Sequence, residues 1–471
     1  MKIKIGFTLC FLLIGIMLSA QTYRIAVELN NYQEDTIYLG CYLMNKQYYQ
    51  DTAVIDKKGE FIFERDTAFP AGLYLVILPP KNDLIQLIVN RDHQSSSVKA
   101  DFTDLKQSVR YRGDDAKDNE LLNEYGNRLL ALRPKMDSLG QLSQSLAENS
   151  EERKRVEEEM AQIRKEVVDF QEEIITEYPK SFTAAVILAD RNVEEPTFTG
   201  EDLQMKRYLY LREHFFDNID MNDPRILRSP FFFPKVDFYV QKYHIQHPDT
   251  ISLAIDKVLK KLEGNPETFR YYLSHFLNSY LSSKLVGMDA VFVHLVDNYY
   301  LKEKAPWLSE EQMKNILTQA NKVRPVLIGK KAPNFTVTKM NGEKLTLYEE
   351  ESEYTILYFW SNTCGFCKKS TPVMQDFYEK YKDKGVKIIA VCMKYTDEVA
   401  PCWEYVKEKE IDNWIHTADP YRRMKLDKLY DAETTPTIYV LDKDKIIRSK
   451  KIGADQLEEV MDNIIKMREM D

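Results

Sequence analysis

Two cysteines separated by two residues, Cys364-Gly365-Phe366-Cys367, lie where one periodicity gives way to another, and this junction limits what the chain can fold into. Before it, Tyr354–Trp360 is an unbroken run of apolar, β-branched and aromatic residues, which predicts a buried strand. After it, apolar residues recur at Val373, Met374, Phe377 and Tyr381, which is helical spacing. The cysteines therefore fall at a strand-to-helix turn, with Cys364 beside the helix N-terminus. Unpaired backbone N–H groups and the helix dipole stabilise a thiolate there. Two intervening residues let the sulfurs meet in a short-loop disulfide that can open and close. The competing reading is half of a structural zinc site, but no second CxxC or His pair follows at zinc spacing.

Two further features extend the motif. Pro372 follows Cys367 by five residues, and Thr434-Thr435-Pro436-Thr437 opens a predicted strand Thr437–Leu441. A cis-proline in that turn would set the Thr435 backbone against the cysteines, where it could pair with an extended chain. With strand, CxxC, helix proline and Thr-Pro turn in this order, residues 327–471 resemble the thioredoxin superfamily. Gly329-Lys330-Lys331-Ala332-Pro333-Asn334-Phe335 at the entrance resembles the TlpA/ResA-type periplasmic thiol–disulfide oxidoreductases. The resemblance implies an α/β thioredoxin-like fold and dithiol–disulfide exchange. Cys364 would attack as thiolate and Cys367 would resolve, while Thr435, Pro436, Trp360 and Phe366 would position the partner. It also implies disulfide-containing exported proteins as substrates and a membrane electron donor for re-reduction.

The chain departs from that pattern at four places. Phe366 replaces the usual proline, and Thr363 stands where many relatives carry Trp. Tyr358 occupies the place of the buried Asp of thioredoxin, and Ser370 that of the active-site Glu of ResA-type proteins. Glu433, just before the Thr-Pro turn, is either a substitute acid/base or a solvated turn carboxylate. A rival enzyme class is a thiol peroxidase, because Gly329–Phe335 also resembles the entrance of peroxiredoxins. Ser361 has the required spacing to Cys364, but Leu357 fills the expected proline position. From a different class comes a redox-sensing binding or assembly module, in which the N-terminal regions are the functional part.

Met1–Ala20 reads as a secretory signal peptide. Lys2 and Lys4 precede the apolar run Ile5–Leu18, and Leu18-Ser19-Ala20 ends it before Gln21. The expected mature protein is periplasmic, cleaved near Ala20–Gln21. It then keeps Cys41, Cys364, Cys367, Cys392 and Cys402, too few and too odd a number for a disulfide framework. Cys41 reads as a buried small hydrophobe. Cys392 and Cys402 are either a second disulfide or two packing thiols. A formal net charge of −9, without a basic patch interleaved with aromatics, argues against nucleic acid. No phosphate loop, dinucleotide fingerprint or CxxCH appears, so no cofactor is expected.

The remainder divides by pattern into a multidomain chain. Residues 21–113 carry short alternating runs between turn clusters, which predicts an antiparallel β-sandwich. This stretch resembles an exported β-domain family of unknown function. Residues 114–326 predict an all-α region, and resemble a helical family of unknown function. Within it, 116–178 reads as a helical hairpin, with Pro134 kinking the first helix and an Asn149/Glu152 capping box starting the second. That hairpin could also dimerise as a coiled coil. Residues 179–326 read as further helices broken by prolines, with a second capping box at Ser309/Gln312. His214, His244 and His247 invite a metal reading, but Pro248 ends the helix and no acidic or Cys partner has the spacing. Residues 327–471 complete the chain as the α/β domain.

Overall fold

The computed structural model describes residues 23–90 and 95–470, so the predicted signal peptide and its cleavage point lie outside the described residues. The chain divides into two compact units, ending and beginning at Tyr239 and Val240.

The first unit opens with β1 (Tyr23–Asn30), β2 (Thr36–Leu43), β3 (Lys46–Val54), β4 (Glu60–Arg65), β5 (Gly72–Leu78), β6 (Asp83–Val89) and β7 (Ser95–Asp101), then a helical turn α1 (Leu105–Ser108) and β8 (Arg110–Gly113). They form two four-stranded sheets, β4-β1-β7-β8 and β3-β2-β5-β6, over a common apolar core that includes Val27, Leu39, Phe63, Val76 and Val98. The sandwich is not purely antiparallel: β1 and β7 pair in parallel, Arg24 opposite Ser95. Five strands, including the whole of the other sheet, lie between them in sequence, so they are joined by a long crossover and not by a hairpin. Cys41 is buried in this core as a free thiol.

Next come α2 (Ala116–Ser145), α3 (Glu151–Glu177), α4 (Phe182–Asp190) and α5 (Leu203–His214), with α6 (Phe232–Gln241) crossing the division between units. Helices α2 and α3 are separate elements, as the pattern predicts. The cap of α3 is a correction: Ser150, one residue beyond Asn149, accepts the Arg153 N–H at 3.2 Å. Helix α2 continues through Pro134, which is exposed. Its first turn is tied to the sandwich by Asn119, which accepts from Ile88 N–H at 2.6 Å and donates to Ile88 C=O at 3.0 Å.

The second unit continues with α7 (Pro248–Lys261), α8 (Pro266–Leu281), α9 (Asp289–Leu295) and α10 (Glu310–Val323). The Ser309/Gln312 capping box is present in both directions. Then follow β9 (Thr336–Lys339), β10 (Lys344–Thr346), β11 (Tyr354–Trp360), α11 (Gly365–Tyr381), β12 (Val386–Cys392), α12 (Ala400–Glu408), β13 (Ile415–Ala418), α13 (Leu426–Leu429), β14 (Thr437–Asp442), β15 (Ile447–Lys450) and α14 (Leu457–Met470). One sheet of seven strands runs β10-β9-β13-β12-β11-β14-β15. Strand β11 is central, parallel to β12 and antiparallel to β14. All seven of its residues are buried, because alternate side chains enter two cores: Ile356, Tyr358 and Trp360 one, Leu357 and Phe359 the other. This is the mixed, doubly covered sheet of a thioredoxin-like α/β domain.

Within this unit the helices and the sheet are joined by buried groups. Val326, just after α10, packs in the same core as Ala432, Tyr430 and Phe335. Lys450 on β15 is 3% exposed and pairs with Asp289 at the start of α9. Among the described residues no group of three or more His, Cys, Asp or Glu is placed to hold a metal.

Candidate active site

Cys364 is the N-cap of α11, and the turn before it is closed by its own N–H, which donates to Ser361 C=O at 3.2 Å. Its sulfur accepts the Cys367 N–H at 3.2 Å, one of the donors that the start of a helix leaves unpaired. Its thiol donates to the Thr435 carbonyl at 3.1 Å, and the Thr435–Pro436 bond is cis. Strand, helix and Thr-Pro turn thus meet at one sulfur. Cys367 lies one helical turn deeper and is buried. Its carbonyl accepts from Thr371 Oγ1 at 3.0 Å and from the Tyr358 hydroxyl at 3.4 Å.

The two thiols are driven apart electrostatically. Burial works to raise Cys364, but hydrogen bonds from the Cys367 and Thr435 side chains and from the Cys367 and Phe366 N–H groups outweigh it, so the thiol lies below its ordinary value. Burial, reinforced by Cys364, pushes Cys367 up to about 12. At neutral pH the outer sulfur carries the larger thiolate fraction and the inner one holds its proton. Tyr358 is itself pushed above its ordinary value by burial and the adjacent cysteines, so it stays a neutral hydroxyl.

The other predicted site residues fall in different surroundings. Phe366 is 73% exposed beside Cys364 and presents a bare aromatic face. Trp360 is 1% exposed: it faces inward against Tyr358 and Tyr405, in the apolar cluster that holds Cys367, and not at a solvent-facing rim. Glu433 is turned to the surface, where its carboxylate meets Lys322 at 2.8 Å. That hydrogen bond and charge hold the carboxyl below its usual range, the reverse of what a proton donor near neutral pH needs. Ser361 Oγ is engaged with Thr363 Oγ1 at 3.0 Å.

One feature was open in the sequence. Cys392 and Cys402 form a disulfide between the end of β12 and α12. Cys392 is the register partner of Trp360, and both cysteines belong to the apolar cluster that holds Cys367.

The AhpC/TSA family matches residues 328–450, and two domains of unknown function match before it, DUF4369 over 23–116 and DUF5106 over 143–324. Thiol-disulfide oxidoreductase ResA of Bacillus thuringiensis subsp. konkukian is 34% identical over 140 residues, which cover 30% of this chain and 77% of that protein. The chain belongs to the ResA family of thiol–disulfide oxidoreductases. The thioredoxin-like protein YneN of Bacillus subtilis is 26% identical over 130 residues, covering 26% of this chain and 71% of that one. Among solved structures, a domain of a possible thiol-disulfide isomerase from Cytophaga hutchinsonii is 34% identical, with a TM-score of 0.29, covering 31% of this chain and 99% of that one. As a ResA-family enzyme the chain is a thiol–disulfide oxidoreductase, and its substrates are expected among proteins that carry disulfides. Within that ResA frame, Ser370, at the place where a Glu is expected, is half-buried in α11.

Proposed function

We propose that this ResA-family chain is an exported enzyme that reduces protein disulfides through its Cys-Gly-Phe-Cys motif. The carrying observation is the Cys364 thiol, which caps α11 and donates to the Thr435 carbonyl at 3.1 Å while Cys367 lies buried behind it. The Cys364 thiolate attacks one sulfur of the substrate disulfide; that S–S bond breaks and the other substrate sulfur leaves as a thiolate. Cys367 then loses its proton and attacks Cys364 Sγ, which breaks the mixed disulfide and frees the second substrate thiolate. The substrate has gained two electrons and two protons, and the enzyme holds a Cys364–Cys367 disulfide. A membrane dithiol donor returns it to the starting state. The Thr435–Pro436 turn aligns the substrate chain by backbone pairing, and Phe366 offers it an apolar contact.

Two observations support export. The N-terminal residues carry the signal-peptide pattern. The Cys392–Cys402 disulfide, away from the Cys364–Cys367 pair, suits an oxidising compartment. The proposed division is a sandwich over 21–113, helices over 114–326 and the redox domain over 327–471. We also propose that the hairpin of α2 and α3 pairs two copies through the apolar groove of about 670 Å³ lined by Leu129, Leu130, Met136 and Val168; sedimentation of a Leu130→Glu variant as a monomer beside a dimeric parent tests it. For the chemistry, Cys364→Ser should abolish insulin-disulfide turnover, and Cys367→Ser should accumulate a mixed disulfide with the substrate. Full turnover by Cys364→Ser would overturn the reading.

A further inference from the structure

We infer that Lys322, outside the redox motif, is a positioning residue that holds the Thr-Pro turn of the site in its protein-binding geometry; this rests on the function proposed above. The turn begins at Glu433, which is followed by Thr434, Thr435 and Pro436. Behind Glu433 the chain is fixed by Ala432, which is buried beside Val326, and by an ion pair between Asp431 and Lys451 at 2.5 Å. Ahead of it, Thr437 Oγ1 donates to Thr434 C=O at 2.6 Å, and Thr435 C=O accepts from Cys364. Glu433 itself has a partner on another element: Lys322 in the last turn of α10, at 2.8 Å.

Helix α10 is a suitable anchor. Arg324, two residues after Lys322, binds Asp297 at 2.5 Å, and Val326 enters the sheet core. Ala320, two residues before Lys322, is fully buried, so the cation is delivered by a segment held at both sides. Glu433, the carboxylate nearest in sequence to the turn, serves as the attachment point of that segment and not as a proton carrier. The contact matters to a protein substrate, which must lie along Thr435. A small aromatic disulfide that needs only the Cys364 sulfur does not use it. The pair is partly exposed, with side chains 25% and 53% accessible, so its influence is modest and sensitive to salt.

The test uses the full chain, insulin as protein disulfide and dithiobis-nitrobenzoate as small disulfide. Lys322→Glu and Glu433→Lys should each raise KM for insulin by about two- to fivefold, and the double swap should restore it. The Lys322 variants should leave the rate with dithiobis-nitrobenzoate and the midpoint potential of the Cys364–Cys367 couple unchanged. An effect of net charge on encounter would move the two single variants in opposite directions, so a shared rise separates positioning from steering. If a charge reversal fails to fold, Lys322→Gln serves: its KM should be raised at low salt and should match the parent at high salt. An unchanged insulin KM in the single variants, opposite shifts, or a double swap that stays impaired would overturn the inference. A parent enzyme that reduces the small disulfide but not insulin would overturn both the inference and the proposed substrate class. A parent that reduces neither would overturn the proposed chemistry as well.

Discussion

Cys364 and Cys367 are the same side chain one helical turn apart, and their surroundings give them opposite tasks. Since the Cys364 thiol lies below its ordinary value, its alkylation by iodoacetamide should rise with pH and level off with a midpoint below pH 9. Cys367, pushed up to about 12, should stay unlabelled across that range until the protein is denatured. Replacing Cys367 by Ala removes the side-chain hydrogen bond that helps to lower Cys364, so the Cys364 midpoint should move upward, as read by thiolate absorbance. Phe366 makes little of the fold, so Phe366→Ala should change stability by less than about 0.5 kcal/mol in urea denaturation while raising KM for protein disulfides. The cysteines and the Thr-Pro turn were legible because chemistry fixes their spacing. The inward turn of Trp360 was not, since a strand buried on both faces does not reveal from sequence which face borders the site.

At the level of elements, the long periodic segments were the readable ones. β11, β12 and the Ser309-capped helix α10 follow from apolar pattern and cap chemistry alone. β7 is hard to read from sequence because its inward positions begin with Ser96, a buried polar residue that breaks the apolar alternation. β8 is only four residues long. The link between β12 and α12 was also closed to sequence reasoning, which cannot tell whether two cysteines ten residues apart face each other. Replacing Cys392 and Cys402 together by Ala should lower unfolding stability by about 2–3 kcal/mol, measured against the unreduced parent. Strand β13 adds an acid-sensitive point. His416 is buried with Nε2–H on Ile411 C=O at 2.7 Å, and burial holds its pKa below 6.5. The unfolded chain binds that proton more readily, so His416 contributes stability that is present above pH 6.5 and lost as pH falls below it. Denaturation midpoints taken between pH 7 and pH 5 should show the decline, and His416→Gln should flatten it.

For the molecule, the ResA likeness occupies 30% of the chain, yet the compact unit that contains it begins at Val240. The difference is visible at Lys450. Its ammonium is buried on β15, its partner is Asp289 on α9, and burial lowers its pKa despite that partner. Asp289→Asn should destabilise the second unit by about 3 kcal/mol at neutral pH, because a buried cation is left without its counter-ion. The loss should shrink as pH rises past the lowered pKa of Lys450 and the side chain discharges, which urea titrations at pH 7 and pH 10 would compare. No sequence pattern announces such a pair, since its members are far apart in the chain and each alone looks like a surface charge. The redox portion is therefore not a portable cassette. Grafted onto another scaffold without the helix that bears Asp289, it would arrive with an unneutralised charge in its last strand, and a swap between relatives would succeed only where donor and recipient agree on that one carboxylate.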